Sequence, residues 1–430
     1  MPTGHHKAIP YVDPLTIPRS SPAAKLMRAD VRWFALGVVI AVVVNLHGIV
    51  RLTAMPSLIP GQLNAVLAPL GFVAVVLWLV SRIFVGQVLA RADLTAVVAM
   101  TVGGALIAFV GLGGLPYSTG STPQKLLRDV AFLGLIVGLA AMVTRALNQG
   151  PLNRRDFATG LLLTGGIMFP ALGLVLFEAA YEGRHGGFLL TPTMMANASL
   201  LTVVIAYRCG VNRLLLMSGT PITAIVILES GTRAALLLFA GFVAFVAARP
   251  IFRRSGLLVA TSLLVVAAAA AVAAPIFLEQ LATAGPDAAR VVSTSDLETG
   301  SIATRLIWAQ QLLAELPKSG FIGGFGAGEA EALVGTLPHL DVLRFWFDYT
   351  ILYPLVVAMV LWRTILGGRR FRDLPRDARW FAAYMVGSIL LMTTHNPFQD
   401  VATTVLIVIA CGVASAEGPV RLSAPVDSRS

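Results

Sequence analysis

Three side chains, far apart in the chain, have between them the means to hold a phosphorylated leaving group and to activate a hydroxyl. They are Arg233 in ESGTRAALL, Arg305 in SIATRLIWAQQ and His339 in PHLDVLRF. A guanidinium presents a planar fork that makes two charge-assisted hydrogen bonds to phosphate oxygens and keeps its proton. An imidazole titrates near neutrality and accepts a proton from a nucleophile. Two arginines and a histidine around one cavity would stabilise negative charge as it develops on a departing group. Asp341 and Arg344 lie close to the histidine in the chain.

Each of these residues also has a plainer reading. Arg233 reads as a snorkelling anchor or as an ion-pair partner of Glu229. Arg305 reads as a solvated helix residue, and His339 after Pro338 as an ordinary loop histidine. Arg344 has acidic neighbours at Asp341 and at Asp348, the latter one helical turn on. Phe345, Trp346, Phe347 and Tyr349 read as an interfacial aromatic belt. His395-Asn396 and Asn45 with His47 are polar groups at the ends of apolar stretches, where they line a cavity or end a helix.

The elements that must position these groups belong to a membrane. The 430 residues are 57% hydrophobic and 13% charged, with a mean hydropathy of +0.80. A soluble domain carries about 25% charged residues. The net charge of +10 is spread over many short gaps with no basic domain, which argues against nucleic acid as a partner. Cys209 and Cys411 have neither metal-ligand spacing nor the makings of a disulfide framework. The polar, basic start of the chain is followed by a full-length span from about Trp33, as in an uncleaved signal anchor.

Apolar spans are predicted at roughly 33–50, 63–80, 94–112, 126–144, 157–177, 189–207, 214–229, 233–248, 257–278, 343–362, 380–395 and 400–416. Each approaches the ~20 residues that cross ~30 Å of hydrocarbon. The seventh and eighth form a hairpin around Ser230-Gly231. Of the 32 Lys and Arg, 23 fall in alternate gaps, while most acidic residues fall in the others. Basic gaps stay inside. The expected layout is an all-α polytopic membrane protein of about 12 transmembrane helices, with both termini cytoplasmic. It divides into a tail at 1–32, nine spans over 33–278, a periplasmic loop at 279–341, three spans over 342–416 and a tail at 417–430.

The periplasmic loop is too long for a connector and is expected to contain short helices. SIATRLIWAQQLLAELPKSG reads as one, with Leu306, Ala309, Leu313 and Leu316 on one stripe and Pro317 and Gly320 ending it. GFIGGFGAGEAEALVG is glycine-rich but lacks the Gly-Lys-Ser/Thr of a phosphate loop.

The order of these pieces resembles the O-antigen ligase / O-antigen polymerase superfamily of bacterial envelope glycosyltransferases. SGTRAALL opens a span, an Arg-x-x-Trp helix with a glycine-rich tail follows, and PHLDVLRFWFDY leads into the next span. GGFLLTPTMMANASLL is similar to that family's lead into an earlier span, with Asn197 displaced. The resemblance covers about 189–365. It differs where Leu340 follows His339 in place of asparagine, and where Thr350 and Tyr353 stand in place of glycines.

The resemblance implies transfer of a glycan from undecaprenyl diphosphate at the outer face of the bacterial inner membrane, with no metal, cofactor or nucleotide sugar. It implies His339 as the base for the acceptor hydroxyl and Arg233 and Arg305 as the diphosphate clamp, with Asp341, Arg344 and Trp308 in support. Expected partners are the lipid-linked glycan, a glycan or lipid acceptor, membrane lipids and a polysaccharide chain-length regulator. Polymerisation of an exopolysaccharide or O-antigen is favoured slightly over ligation to lipid A-core. The rival is a polysaccharide or lipid-linked-glycan transporter or flippase. A transporter places charges near mid-bilayer beside broken helices, and Pro170 is expected to break the fifth span.

Overall fold

A computed structural model describes residues 31–53, 68–71, 73, 76–77, 91–119, 123–147, 151–178, 184–252, 301–336, 338–393, 398 and 400–415. The predicted ninth span, most of the second, the start of the long loop, His395-Asn396, residues 1–30 of the first tail and all of the last tail lie outside the described residues.

All regular structure among the described residues is helical. The elements are α1 Val31–Val44, α2 Leu46–Thr53, α3 Arg91–Gly111, α4 Pro123–Leu147, α5 Pro151–Leu161, α6 Phe169–Leu176, α7 Pro192–Arg208, α8 Arg213–Ser230 and α9 Arg233–Phe252. They continue with α10 Ser301–Glu315, α11 Glu329–Val334, α12 Asp341–Tyr349, α13 Leu352–Leu366, α14 Arg376–Met392 and α15 Val401–Ala414.

Among the described residues, four helical stretches are long and apolar enough to cross a bilayer: Pro123–Val143, Asn153–Leu176, Arg213–Ser230 and Leu352–Asp373. Apolar helices of this kind fit a helical membrane protein; the count of 12 spans is not reproduced. One reason is length. A helix rises 1.5 Å per residue, so the 14 residues of α15 cover only about 21 Å.

Two predicted spans are also interrupted. The first breaks at Asn45, between α1 and α2, where the Asn45 side-chain amide donates to the Ala41 carbonyl at 2.9 Å. The tenth starts later than predicted. Its aromatic opening forms the separate helix α12, and Thr350, at φ 85°, turns the chain before α13 begins.

The expected break at Pro170 does not occur. Leu162–Met168 forms a π-helical turn that joins α5 to α6, and the Phe169 N–H donates to the Thr164 carbonyl five residues back. A proline has no N–H and clashes with the preceding turn. The wider π turn absorbs that defect while the helix runs on.

The core sits around α15 and α7. All 14 residues of α15 are buried, and so are most of those in α7. Helices apolar on every side belong in the middle of a bundle. Asp400 caps α15 by accepting from the Thr403 N–H at 2.7 Å. At its far end, Arg208 donates to the Val413 and Ala414 carbonyls and pairs with Asp377 at 3.2 Å. α1 and α5 cross on glycines: a Cβ on Gly37 would lie 2.0 Å from the Phe157 carbonyl oxygen, and one on Gly160 2.2 Å from that of Phe34. Small residues let two helix backbones approach this closely.

Candidate functional site

The site is assembled on the turn between α8 and α9. α8 ends at Ser230, Gly231 takes the left-handed conformation at φ 59°, and α9 opens at Arg233. A left-handed residue after a helix favours glycine, which has no Cβ to clash. The turn is gripped from outside by the segment that leads into α7. Arg184 donates through Nε to the Ser230 carbonyl at 2.6 Å and through a terminal nitrogen to Thr232 Oγ1 at 3.3 Å. The next residue continues the grip, with the His185 N–H donating to the Glu229 carbonyl at 3.0 Å. Arg233 therefore begins its helix one residue beyond a hydroxyl that another arginine holds.

Arg305 lies on α10 in the long loop, half-buried, with its Nε shielded from solvent and without a hydrogen-bond partner among the described residues. Burial lowers its pKa below the usual guanidinium value, and the positive charge of Arg184 adds to the effect. An arginine stays protonated regardless. Burial is the larger cause and the neighbouring cation the smaller one.

His339 stands at the rim of the same cluster, exposed on one side. Its ring centroid is 6.0 Å from that of Trp308, at an interplanar angle of 44°. Its pKa is lowered, first by desolvation among its neighbours and then by the charge of Arg305. The imidazole is consequently neutral at pH 7, the form that accepts a proton. Arg305, Trp308 and His339 thus come together, while Arg184 holds the turn at which Arg233 starts. Arg184 lies outside the motifs that the sequence offered.

Asp341 and Arg344 are placed differently. Both are almost fully buried, and their side chains pair with each other at 3.5 Å. Arg344 also approaches Asp348 at 4.0 Å and lies over the ring of Phe345, 4.1 Å from its centroid. Asp341 accepts from the Phe398 N–H at 3.0 Å, and Asp348 from the N–H groups of Gly328 and Ala330 at 3.2 and 2.9 Å. Burial raises the Asp341 pKa to about 6, against the lowering effect of Arg344. These groups join α12 to the glycine-rich loop and to the start of α15. They do so from inside the protein and not beside His339 at its surface.

The aromatic stretch 345–349 belongs to the same packing, which corrects its reading as a belt at the membrane surface. Phe345, Phe347 and Tyr349 are buried. Phe347 packs with Leu312, Leu316 and Ala330 in a small core of the loop. Trp346 donates through its indole N–H to the Phe321 carbonyl at 3.0 Å. The predicted stripe on α10 is rotated as well: Leu312 and Leu316 are buried, whereas Leu306 and Leu313 are exposed. The glycine loop is seated on the carbonyls that end α12. Gly324 and Phe325 donate to Phe347 and Gly326 to Asp348, at 2.8, 3.0 and 3.1 Å. A Cβ on Gly323 would lie only 2.0 Å from the Trp346 carbonyl oxygen, so a side chain there would lift the loop away.

Sequence reasoning also missed Arg128 and Asp129 in the first turns of α4. Arg128 donates to Asp129 at 2.9 Å, and the other oxygen of Asp129 accepts from the Tyr349 hydroxyl at 2.5 Å. An adjacent Arg-Asp pair entering an apolar helix was the available signal, since charges there are costly unless partnered.

No family model, curated protein or solved structure matches the chain.

Proposed function

We propose that the chain is a bacterial inner-membrane glycosyltransferase that acts on an undecaprenyl-diphosphate-linked oligosaccharide, with polymerisation favoured slightly over ligation. The observation that carries this reading is the approach of His339 to Trp308, one helical turn after Arg305 on α10, in a chain whose motifs follow the order of the O-antigen ligase / polymerase superfamily. The reading also takes the long loop to face the periplasm, the termini to face the cytoplasm and the spans to number about 12.

In this mechanism the acceptor hydroxyl oxygen attacks the anomeric carbon of the donor glycan. The new C–O bond forms as the bond from that carbon to the diphosphate oxygen breaks. The hydroxyl proton passes to the neutral imidazole of His339. The electron pair leaves with the lipid diphosphate, where Arg233 and Arg305 offset the growing negative charge. Trp308 flanks the imidazole and limits its orientation. Asp341 and Arg344 act at a distance, by holding α12 and hence the segment that carries His339.

The rival transport reading drew on Pro170, where the helix instead runs on through a π turn. The test is to replace His339 and Arg305 separately in the bacterium that encodes the protein. Loss of long-chain polysaccharide with single repeat units still delivered fits a polymerase. Long chains left on undecaprenyl diphosphate fit a ligase. Unchanged surface polysaccharide in both variants removes the enzymatic reading.

A further inference from the structure

A cavity of about 250 Å³ opens between α3, α4 and α13, apart from the residues of the long loop. Ala96, Ala140, Ala141 and Val360 line it and are buried. Alanines on facing helices leave the room that larger side chains would fill. Thr364 is buried there too, but its hydroxyl donates to the Val360 carbonyl at 2.8 Å on its own helix. The α13 wall is therefore apolar toward a ligand.

The mouth has the opposite character. Arg363 and Gly368 line it and are exposed. Gly367 and Gly368 take left-handed conformations, at φ 57° and 77°, and turn the chain off the end of α13. Glycine meets that conformation without strain. Beyond the turn Arg369, Arg370, Arg372 and Arg376 are also exposed. The acids between 363 and 377 are Asp373 and Asp377, and Asp377 pairs with Arg208 at 3.2 Å. This edge is therefore strongly positive. Trp362 and Phe371, both exposed, stack across it at 6.0 Å and 24°. Exposed aromatics of this kind sit at the boundary between hydrocarbon and water.

An apolar cleft that opens among arginines matches an amphiphile with an anionic head. A soluble anion has nothing to place in the depth, and a neutral lipid does not offset the charge at the mouth. We infer that this cleft seats an anionic glycerophospholipid, with part of one acyl chain in the cavity and the phosphodiester at Arg363. A guanidinium makes paired hydrogen bonds to phosphate oxygens, and the arginines after the glycine turn add charge around the head. The inference draws on the helical membrane character of the chain and stands apart from the glycosyl-transfer reading. In the layout proposed above this edge faces the cytoplasm, where an anionic leaflet attracts basic segments.

The test titrates the full-length protein in detergent with dioleoyl phosphatidylglycerol or dioleoyl phosphatidylcholine and follows the first bound lipid by native mass spectrometry. The wild type is expected to prefer phosphatidylglycerol about fivefold. Arg363→Gln is expected to remove that preference and to leave phosphatidylcholine unchanged. Ala140→Leu fills the cavity and is expected to weaken both lipids by about fourfold, the effect of one methylene kept from burial.

Equal affinities of the wild type for the two lipids overturn the anionic ligand. A preference that survives Arg363→Gln overturns the place given to the phosphodiester. Unchanged affinities in Ala140→Leu overturn the cavity as the seat of the chain. If Ala140→Leu does not fold, Ala96→Val carries that arm, with the same expectation and the same overturning result. Glycerol 3-phosphate bound by the wild type as tightly as phosphatidylglycerol overturns the lipid as the source of the phosphate.

Discussion

The Tyr349 hydroxyl donates to Asp129 at 2.5 Å, joining the end of α12 to the first turns of α4 across 220 residues of sequence. Both groups are buried, and Arg128 holds the second oxygen of the same carboxylate. The bond fastens the loop that carries Arg305 and His339 to a helix long enough to span a bilayer. Replacing Tyr349 by Phe removes one donor and leaves a buried carboxylate oxygen unmet, which costs about 1–3 kcal/mol. The thermal midpoint of the purified protein is expected to fall. An unchanged midpoint would show that the loop is held by its apolar contacts alone.

Arg344 has the larger predicted effect on stability. It is 1% exposed and faces two buried carboxylates, Asp341 and Asp348. Breaking a buried ion pair by removing one partner costs on the order of 3–5 kcal/mol. Arg344→Met is therefore expected to lower the unfolding midpoint more than Tyr349→Phe. Midpoints in the opposite order would refute the assignment of Arg344 as the centre of this network.

The pH dependence of transfer follows from His339. Its pKa is lowered by desolvation and by Arg305, so the proton-accepting form persists below the pH at which an ordinary histidine becomes charged. Activity is expected to fall only as the pH drops below about 6.5, the ordinary histidine value. Arg305→Gln removes one of the two depressing influences, so the His339 pKa rises. The acid limb of the normalised rate profile should then move to higher pH. A limb that stays in place, or moves lower, would show that His339 is not the titrating base.

Gly231 tests the turn beneath Arg233. Its φ of 59° costs a residue with a Cβ roughly 1–2 kcal/mol. The new methyl would also press on Arg184 Nε at 3.2 Å. Gly231→Ala should lower stability by about that amount and shift Arg184, with a drop in transfer activity larger than the loss of folded protein. Activity that tracks folded protein alone would separate the turn from the site.

The helices legible in the chain were those whose apolar run ends at clear stops. α8 and α9 were readable because a small, polar turn with a glycine sits between two apolar stretches, and α10 because Pro317 and Gly320 close it. Helix α12 was misread as part of a span, since its aromatic residues are as apolar as a membrane segment. Only their burial against Leu312, Leu316 and Ala330 shows that they pack on the loop. The stripe on α10 was off by rotation for a related reason: leucines cover more than one side of that helix, so periodicity does not choose the face. Pro170 was read as a break because proline cannot donate, yet a π turn supplies a helical solution that no local rule anticipates.

Sequence alone determined the helical, membrane-type character of the chain and the residue types from which a phosphate-and-hydroxyl chemistry can be built. Both follow from composition and from the intrinsic chemistry of side chains, which do not depend on neighbours. The tertiary structure decided which of those residues meet. It brought His339 to Trp308 on the helix of Arg305, fastened Arg184 to the turn before Arg233, and withdrew Asp341 and Arg344 into a buried ion pair. Such encounters depend on how helices pack and on which charges find partners when water is removed, and no short stretch of sequence encodes them.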